Sequence, residues 1–221
     1  MGIDNRKKNQ KESVVTEKLH KSSGSAVPAA NPYNITLNPE EDHTWFVAIL
    51  HHQKYTSYCC NYIEKTLSGV RCFVPSKDEL HVYPNRTKRT VRKYIIPRLI
   101  FVTGISEDEA YYFVPKWPYV DLFMADRARE RGDRHVSLAK ISHGDMVKLQ
   151  NAIKGVRSAD DITFSTDDLQ FDEQIEVVSG ELKGLEGGYY KDEGSDYLVF
   201  MLGKMGNIKV RVSIADCSLK K

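Results

Sequence analysis

The apolar positions of this chain are dense and periodic in some stretches and sparse in others, and that contrast sets the predicted elements. Residues 1–40 hold few large apolar side chains among many Lys, Ser, Asn and Glu. Such a segment cannot offset the entropy of ordering, so a disordered tail ending near Pro39 is expected. Trp45–Leu50 (WFVAIL) reads as the first strand, and the polar residues His51, His52, Gln53 and Lys54 follow it. Cys59, Tyr62, Ile63 and Leu67 then fall at i, i+3, i+4 and i+8, an apolar helical stripe that Gly69 stops. Val70–Pro75 (VRCFVP) reads as a second strand and 76–90 as a polar, turn-rich connection containing Pro84 and Asn85. The densest run is 91–102 (VRKYIIPRLIFV), expected as a strand buried on at least one face. Pro97 in its middle has no N–H to donate, so it marks an edge, a bulge or a break in pairing.

Ser106 and Glu109 have capping-box spacing and predict a helix from Glu107 that carries Ala110, Tyr111, Phe113 and Val114 and is limited by Pro115. Val120–Ala125 reads as a strand, Arg127–Arg134 as a charged loop and His135–Ile141 as extended chain. Ser142 and Asp145 open a further helix with Met146, Leu149 and Ile153 on one side, ending at Gly155. The succession strand, helix, strand, strand, helix, strand predicts an α+β fold. Its first unit, over 41–155, is a ferredoxin-like (split βαβ) antiparallel sheet with helices packed on it. Between Ser158 and Glu173 there are six acidic residues and no basic one, so 156–171 is expected to be a solvated acidic linker. Beyond it, Gln174–Val178, Gly187–Tyr190, Tyr197–Leu202 and Ile208–Val212 are short strand-like runs with glycine-rich joints, which predicts a small β-barrel over 172–221.

Composition narrows the chemistry. Hydrophobic residues at 41% support a core, while a net charge of +2 from 32 basic and 30 acidic residues selects no partner by itself. No apolar run is long enough to span a bilayer and the N-terminus lacks an apolar signal core, so a cytoplasmic chain is expected. Cys59, Cys60, Cys72 and Cys217 form no CxxC pair, and neither a metal nor another cofactor is expected. Charge distribution says more than the total. Arg86, Lys88, Arg89, Arg92, Lys93 and Arg98 lie within thirteen residues with no acidic residue among them, a pattern suited to phosphate contact or to a solvated loop. His51, His52 and Lys54 sit between the first strand and helix, where histidine can stack on bases and bond their edges. The one enzyme reading pairs Cys59 or Cys60 with His51, but nothing supplies an orienting third group or an oxyanion site, so no catalytic residue is assigned.

Two stretches carry a family resemblance. Residues 45–153 resemble the N-terminal (NGN) domain of NusG-class transcription elongation factors, through WFVAIL, the amphipathic helix, CFVPS and IIPRLIFV. Family members usually carry aromatic-Pro-Gly-aromatic at the last of these; here Pro97, Phe101 and Val102 match, while Ile96, Arg98 and Leu99 depart. The Pro-x-Leu-Ile-Phe-Val form is most similar to the UpxY group, antiterminators linked to capsular polysaccharide operons. Residues 177–189 (VVSGELKGLEGGY) resemble a KOW motif, with Gly180, Lys183, Gly184 and Gly187 at the motif positions, and 172–219 resemble the SH3-like KOW barrel. Together the two cover roughly three-quarters of the chain.

The resemblance implies a non-enzymatic elongation and antitermination factor. Its first domain would bind the clamp helices of RNA polymerase through Trp45, Ile49, Ile96, Leu99 and Phe101, with Leu99 and Ile96 the residues most expected to be exposed. It implies nucleic-acid contact, including non-template DNA, through His51, His52, Lys54, Arg86, Lys88, Arg89 and Arg92. It also implies a KOW partner such as a ribosomal protein or a termination factor. An alternative reading of the same motif is a KOW-containing RNA-binding protein acting at the ribosome.

Overall fold

A computed structural model describes residues 35–113, 116–117, 119–120, 138–167, 169–171 and 173–220. In chain order the first part holds β1 (Trp45–Ile49), α1 (Thr56–Thr66), β2 (Arg71–Phe73), β3 (Ser76–Val82), β4 (Lys88–Tyr94), β5 (Leu99–Thr103), α2 (Glu107–Phe113), β6 (Lys140–Ile141) and α3 (His143–Gly155). The second part holds β7 (Ile162–Ser165), β8 (Gln174–Val177), β9 (Glu186–Asp192), β10 (Ser195–Leu202), β11 (Gly206–Arg211) and β12 (Cys217–Leu219). The result is a mixed α and β protein whose paired strands, among the described residues, are all antiparallel.

The first sheet has the order β2-β5-β1-β6, and β1 pairs with β5 from Phe46↔Val102 to Ile49↔Leu99. Strand alternation sends its side chains to two different cores. Phe46, Ala48, Ile100 and Val102 join Cys59, Cys60 and Ile63 of α1 and Ala110 of α2. Trp45, Val47, Leu99 and Phe101 face the other way, into a cluster with Met146, Leu149 and Ile153 of α3. The stripe that α1 buries is Thr56, Cys59, Cys60 and Ile63; Tyr62, expected within it, lies at its exposed edge. Both expected helix starts form as their sequences suggest. Glu109 accepts from the Ser106 N–H at 2.8 Å, and Ser142 caps α3 by accepting from the Asp145 N–H at 3.1 Å.

Three expectations are corrected. The run 91–102 is not one strand: β4 ends at Tyr94, β5 begins at Leu99, and Pro97 and Arg98 turn the chain between them with Arg98 at φ 65°. The connection 76–90 is mostly the β3–β4 hairpin, whose polar alternation hid it because both of its faces are largely open to water. The segment 156–171 is not a plain solvated linker. Ser158 opens a capped 3-10 turn over Ala159–Asp161, and β7 then adds to the edge of β11 from Ile162↔Val210 to Asn207↔Ser165. The acidic residues around Ile162 and Phe164 set the composition there, but the alternation of ITFS sets the structure, with Ile162 buried.

The tail reading also changes at its end. Leu37 is buried, its N–H donates to Gln150 Oε1 at 3.0 Å, and Gln150 Nε2 donates to the Ile35 carbonyl, so 35–37 lie along α3. Residues 1–34 lie outside the described residues, as do most of the expected strand 120–125 and the whole charged loop 127–134; Val120 is described and bridges to Leu50.

The second sheet has the order β12-β8-β9-β10-β11-β7. Its apolar face, including Ile175, Leu198, Phe200, Leu202, Met205 and Ile208, belongs to the same continuous cluster as Trp45, Phe101 and α3. Two close approaches fix the contact. A β-carbon on Gly155 would lie 2.6 Å from Leu182 Cδ2 and 2.7 Å from the Glu181 carbonyl oxygen. One on Gly203 would lie 2.9 Å from the Lys140 carbonyl oxygen and 3.4 Å from Ile141 Cγ1. The two sheets therefore share one core, with α3 packed between them.

Candidate functional site

The five residues assigned to an apolar docking patch come together, but not at the surface. Ile96 is 2% exposed and Leu99 7%, Trp45 and Phe101 are also buried, and Ile49 is half-buried against the same cluster. The expectation that Leu99 and Ile96 are open is overturned in this conformation. Alternation did place Leu99 and Phe101 on one face and Ile100 on the other, but that outward face is taken up by the cluster that α3 and the second sheet share. Trp45 is further held by polar contacts: its Nε1 donates to His143 Nδ1 at 3.3 Å, and His143 Nε2 donates to the Asn38 carbonyl at 2.8 Å.

The basic cluster divides into engaged and open members. Arg92 is tied to Asp78 by two hydrogen bonds, Nε to Oδ1 at 2.9 Å and Nη2 to Oδ2 at 3.3 Å, across the β3–β4 pair where Asp78 faces Arg92. Lys93 bonds both Asp160 and Glu79 at 3.0 Å, and these bonds, the one to Asp160 foremost, raise its pKa. Arg98 donates from Nε to the Leu50 carbonyl at 2.8 Å and its N–H donates to Gln53 Oε1, so it closes the end of β1. Arg92, one of the residues assigned to nucleic-acid contact, is thus engaged with Asp78 in this structure. Arg86 and Lys88 have no carboxylate partner among the described residues, and Arg89 lies over the Tyr83 ring at 5.8 Å. These three stand at the exposed end of the hairpin, beside the open side chains Leu80, Val82 and Tyr83. The other end of the hairpin is anchored. Lys77 Nζ donates to the Ile153 carbonyl at 3.0 Å, and Glu79 accepts from the Ala159 N–H and from Ser158 Oγ. The Ala159 N–H, with Lys93 and Ser158 behind it, lowers the Glu79 pKa.

His51, His52 and Lys54 are exposed, as a nucleic-acid role requires. His52 caps the 3-10 turn Gln53–Tyr55 by accepting from the Lys54 N–H at 3.3 Å. Around them stands an aromatic group that sequence reasoning missed. Tyr55 and Tyr119 stack at 4.0 Å with planes 9° apart, Tyr58 meets Tyr119 edge-on at 5.6 Å, and Lys54 Nζ lies 4.9 Å from the Tyr55 ring centre. The Leu50↔Val120 bridge and a 2.9 Å bond from the His51 N–H to the Tyr119 carbonyl bring Tyr119 across from a distant part of the chain. The sequence signal was three tyrosines to which the pattern of apolar positions assigned no role.

The KOW-motif residues form a tight turn between β8 and β9. Gly184, at φ 85°, needs the left-handed region that side chains disfavour, and its N–H donates to the Val177 carbonyl at 2.7 Å. A β-carbon on Gly187 would lie 2.3 Å from the Val199 carbonyl oxygen, so glycine is needed there for close strand approach. Gly180 is also at positive φ, and Lys183 is exposed on the turn. This turn faces α3: Lys148, Asn151 and Lys154 of the helix share a surface cleft with 181–185.

The cysteines point away from chemistry. Cys59, Cys60 and Cys72 are buried free thiols, and burial with Cys60 alongside pushes the Cys59 thiol up to about 12, the opposite of an activated nucleophile. Among the described residues no group of three or more His, Cys, Asp or Glu side chains could hold a metal ion.

Comparison with known proteins gives little sequence support. No protein-family model matches the chain, and no curated protein matches it. Among solved structures it is similar to one described as domain interaction in Thermotoga maritima NusG, at 18% identity and a TM-score of 0.42, over 81% of this chain and 98% of that one.

Proposed function

We propose that this chain is a NusG-class transcription elongation and antitermination factor, acting at particular operons such as the capsular polysaccharide loci of the UpxY group. The observation that carries the reading is the joint occurrence of two architectures in one order. An antiparallel sheet of order β2-β5-β1-β6, with α1 and α2 on one side and α3 on the other, comes first. An antiparallel sheet whose first tight turn holds Gly180, Lys183, Gly184 and Gly187 follows. The first arrangement supports a split-βαβ NGN unit over 41–155 and the second a KOW barrel over 172–221, which β7 extends toward the first unit.

In this reading Trp45, Ile49, Ile96, Leu99 and Phe101 bind the clamp helices of RNA polymerase. Because these residues share a core with the second unit, the cluster must open before a helix can dock. Polymerase then exchanges one apolar partner for another, and binding strength is the difference between the two burials. Bridging the polymerase cleft favours its closed state and suppresses pausing, a population shift. Arg86, Lys88 and Arg89, on an anchored hairpin, supply salt-dependent phosphate contact. The released KOW unit recruits a ribosomal protein or termination factor.

The test is purified transcription through a terminator with and without the protein, together with retention of polymerase or of ribosomal subunits on the immobilised chain. Increased run-through with polymerase retained is the expected result. Retention of ribosomal subunits without polymerase overturns the reading in favour of an RNA-binding protein at the ribosome.

A further inference from the structure

Where α3 meets the turn between β8 and β9, the surface dips into a cleft of about 340 Å³. A spacing of three sets Lys148, Asn151 and Lys154 on successive turns of the helix, along one wall of the cleft. The turn supplies Glu181 and Lys183 to the other wall. All five residues are exposed. The two walls belong to different units, so the cleft forms only while those units are docked. The joint lies beside it, where Gly155 admits Leu182 and the Glu181 carbonyl close to α3.

The charge on these walls is unbalanced. Among the described residues, none of Lys148, Lys154 and Lys183 forms an ion pair with a carboxylate. Lys154 donates to the neutral Gln150 Oε1 at 3.0 Å. Glu186 of β9 is taken by Lys220 at 2.5 Å, and Lys148 acts on it only at longer range. Three cations therefore line the cleft against the one carboxylate of Glu181. The Asn151 amide has no hydrogen-bond partner among the described residues. The N–H groups of Lys183, Gly184 and Leu185 are spent on the Gly180, Val177 and Leu182 carbonyls, so a ligand here is held by side chains. Like charges brought together across a contact oppose it, and an anion between them reverses the sign of that force.

The donor set selects the anion. The cleft has no arginine, whose planar fork suits a carboxylate, whereas lysines meet phosphate oxygens as compact point charges. Three cations less one carboxylate leave an excess that a single phosphate does not exceed and a phosphate chain does. The volume falls in the range of small-molecule sites, about 300–1,000 Å³. We propose that this cleft binds a small molecule bearing a chain of two or more phosphates, inorganic or attached to a nucleoside. Lys148, Lys154 and Lys183 hold the phosphate oxygens and Asn151 donates beside them. Such a ligand bridges α3 and the turn, so it binds the docked arrangement alone and stabilises it by mass action. At about 100 times its Kd it shifts docking about 100-fold. The docked arrangement keeps Trp45, Leu99 and Phe101 covered. On the reading above, which this consequence rests on and the site itself does not, the ligand is a brake on polymerase binding.

The test is isothermal titration calorimetry of the whole chain with sodium tripolyphosphate, ATP, adenosine and citrate, in magnesium-free buffer at physiological ionic strength. Lys148→Gln and Lys183→Gln are the cleft variants. Lys65→Gln removes the same charge from α1, which packs on the other core. All three lysines are exposed, and melting curves check that the variants fold. We expect a single tripolyphosphate to bind, adenosine not to bind and citrate to bind more weakly. Each cleft substitution should weaken tripolyphosphate by about 10-fold, the lower end for a hydrogen bond to a charged group, because the cleft is open to water. Lys65→Gln should leave it unchanged. The ratio of ATP to tripolyphosphate affinity separates a nucleotide from a bare phosphate chain. Saturating tripolyphosphate should also slow hydrogen exchange at 181–185. Absence of tripolyphosphate binding overturns the proposal, as does an equal loss in Lys65→Gln and the cleft variants. Citrate bound as tightly as tripolyphosphate overturns the choice of phosphate. Unchanged exchange at 181–185 under saturation overturns the bridging of the two units. Calorimetry contains no polymerase, so tripolyphosphate binding by a chain that never retains polymerase sinks the elongation-factor reading and leaves the site standing. Retained polymerase without tripolyphosphate binding does the reverse.

Discussion

Gly155→Ala separates the docked conformation from the stability of its parts. Gly155 is the last residue of α3, and alanine there should favour the helix by up to about 0.5–1 kcal/mol, because glycine loses more backbone freedom on folding. The second unit opposes that gain. The added methyl would stand 2.6 Å from Leu182 Cδ2 and 2.7 Å from the Glu181 carbonyl oxygen. The leucine can swing away, but the carbonyl belongs to the tight turn that Gly180 and Gly184 shape, and moving it means moving the turn. Overpacking of this kind costs about 1–3 kcal/mol. The clash should win by about 1–2 kcal/mol, which shifts the equilibrium toward separated units by about 5- to 30-fold. Hydrogen exchange of the whole chain reads this directly: amides at 181–185 and along the outer side of α3 should lose protection by that factor, while α1 and β1 keep theirs. Polymerase binding, if it uses the cluster now shared with the second unit, should tighten by the same factor. A Gly155→Ala chain that melts higher than the parent, with unchanged exchange at 181–185, would show only the helical gain, and the close approach of α3 to the turn would be refuted.

Ile162→Ala should destabilise the chain by about 2–5 kcal/mol in denaturant unfolding, as for any buried isoleucine, and a loss under about 0.5 kcal/mol would return 156–171 to a solvated linker. Replacing Arg86 and Lys88 with alanine should lower the slope of log affinity against log salt for nucleic acid by up to about one per lost phosphate contact. Arg92→Ala should instead lower the melting temperature through the loss of its Asp78 pair, and an equal slope change for Arg92→Ala would contradict its assignment as a fold contact. Glu79 has a folded pKa below its unfolded value of about 4.3, so its stabilising bonds are fully present above that pH and fade as pH falls through the folded value. Glu79→Gln should therefore flatten the acid side of the melting-temperature profile, and an unchanged acid limb would mean that the hairpin base is not held by this carboxylate.

Local periodicity and cap chemistry determined much of this protein by themselves. The alternation of WFVAIL and LIFV, the stripe on α1, the boxes at Ser106 and Ser142, and the break at Pro97 are consequences of neighbouring residues, so they are readable along the chain. The same holds for the tight turn at Gly184, where a left-handed backbone demands glycine. Tertiary structure decided what each face meets. Alternation separates Leu99 and Phe101 from Ile100, but whether the first pair meets water or another sheet depends on residues about a hundred positions away, such as Leu198, Phe200 and Leu202. Composition misled at 156–171, because the carboxylates there do not stop Ile162 beside them from pairing with Val210 and being buried. Arg92 could be read as free only until β3 brought Asp78 opposite it. The Tyr55–Tyr119 stack joins residues whose separation in sequence carries no period at all, and the Leu50–Val120 bridge with the His51–Tyr119 backbone bond brings those rings together.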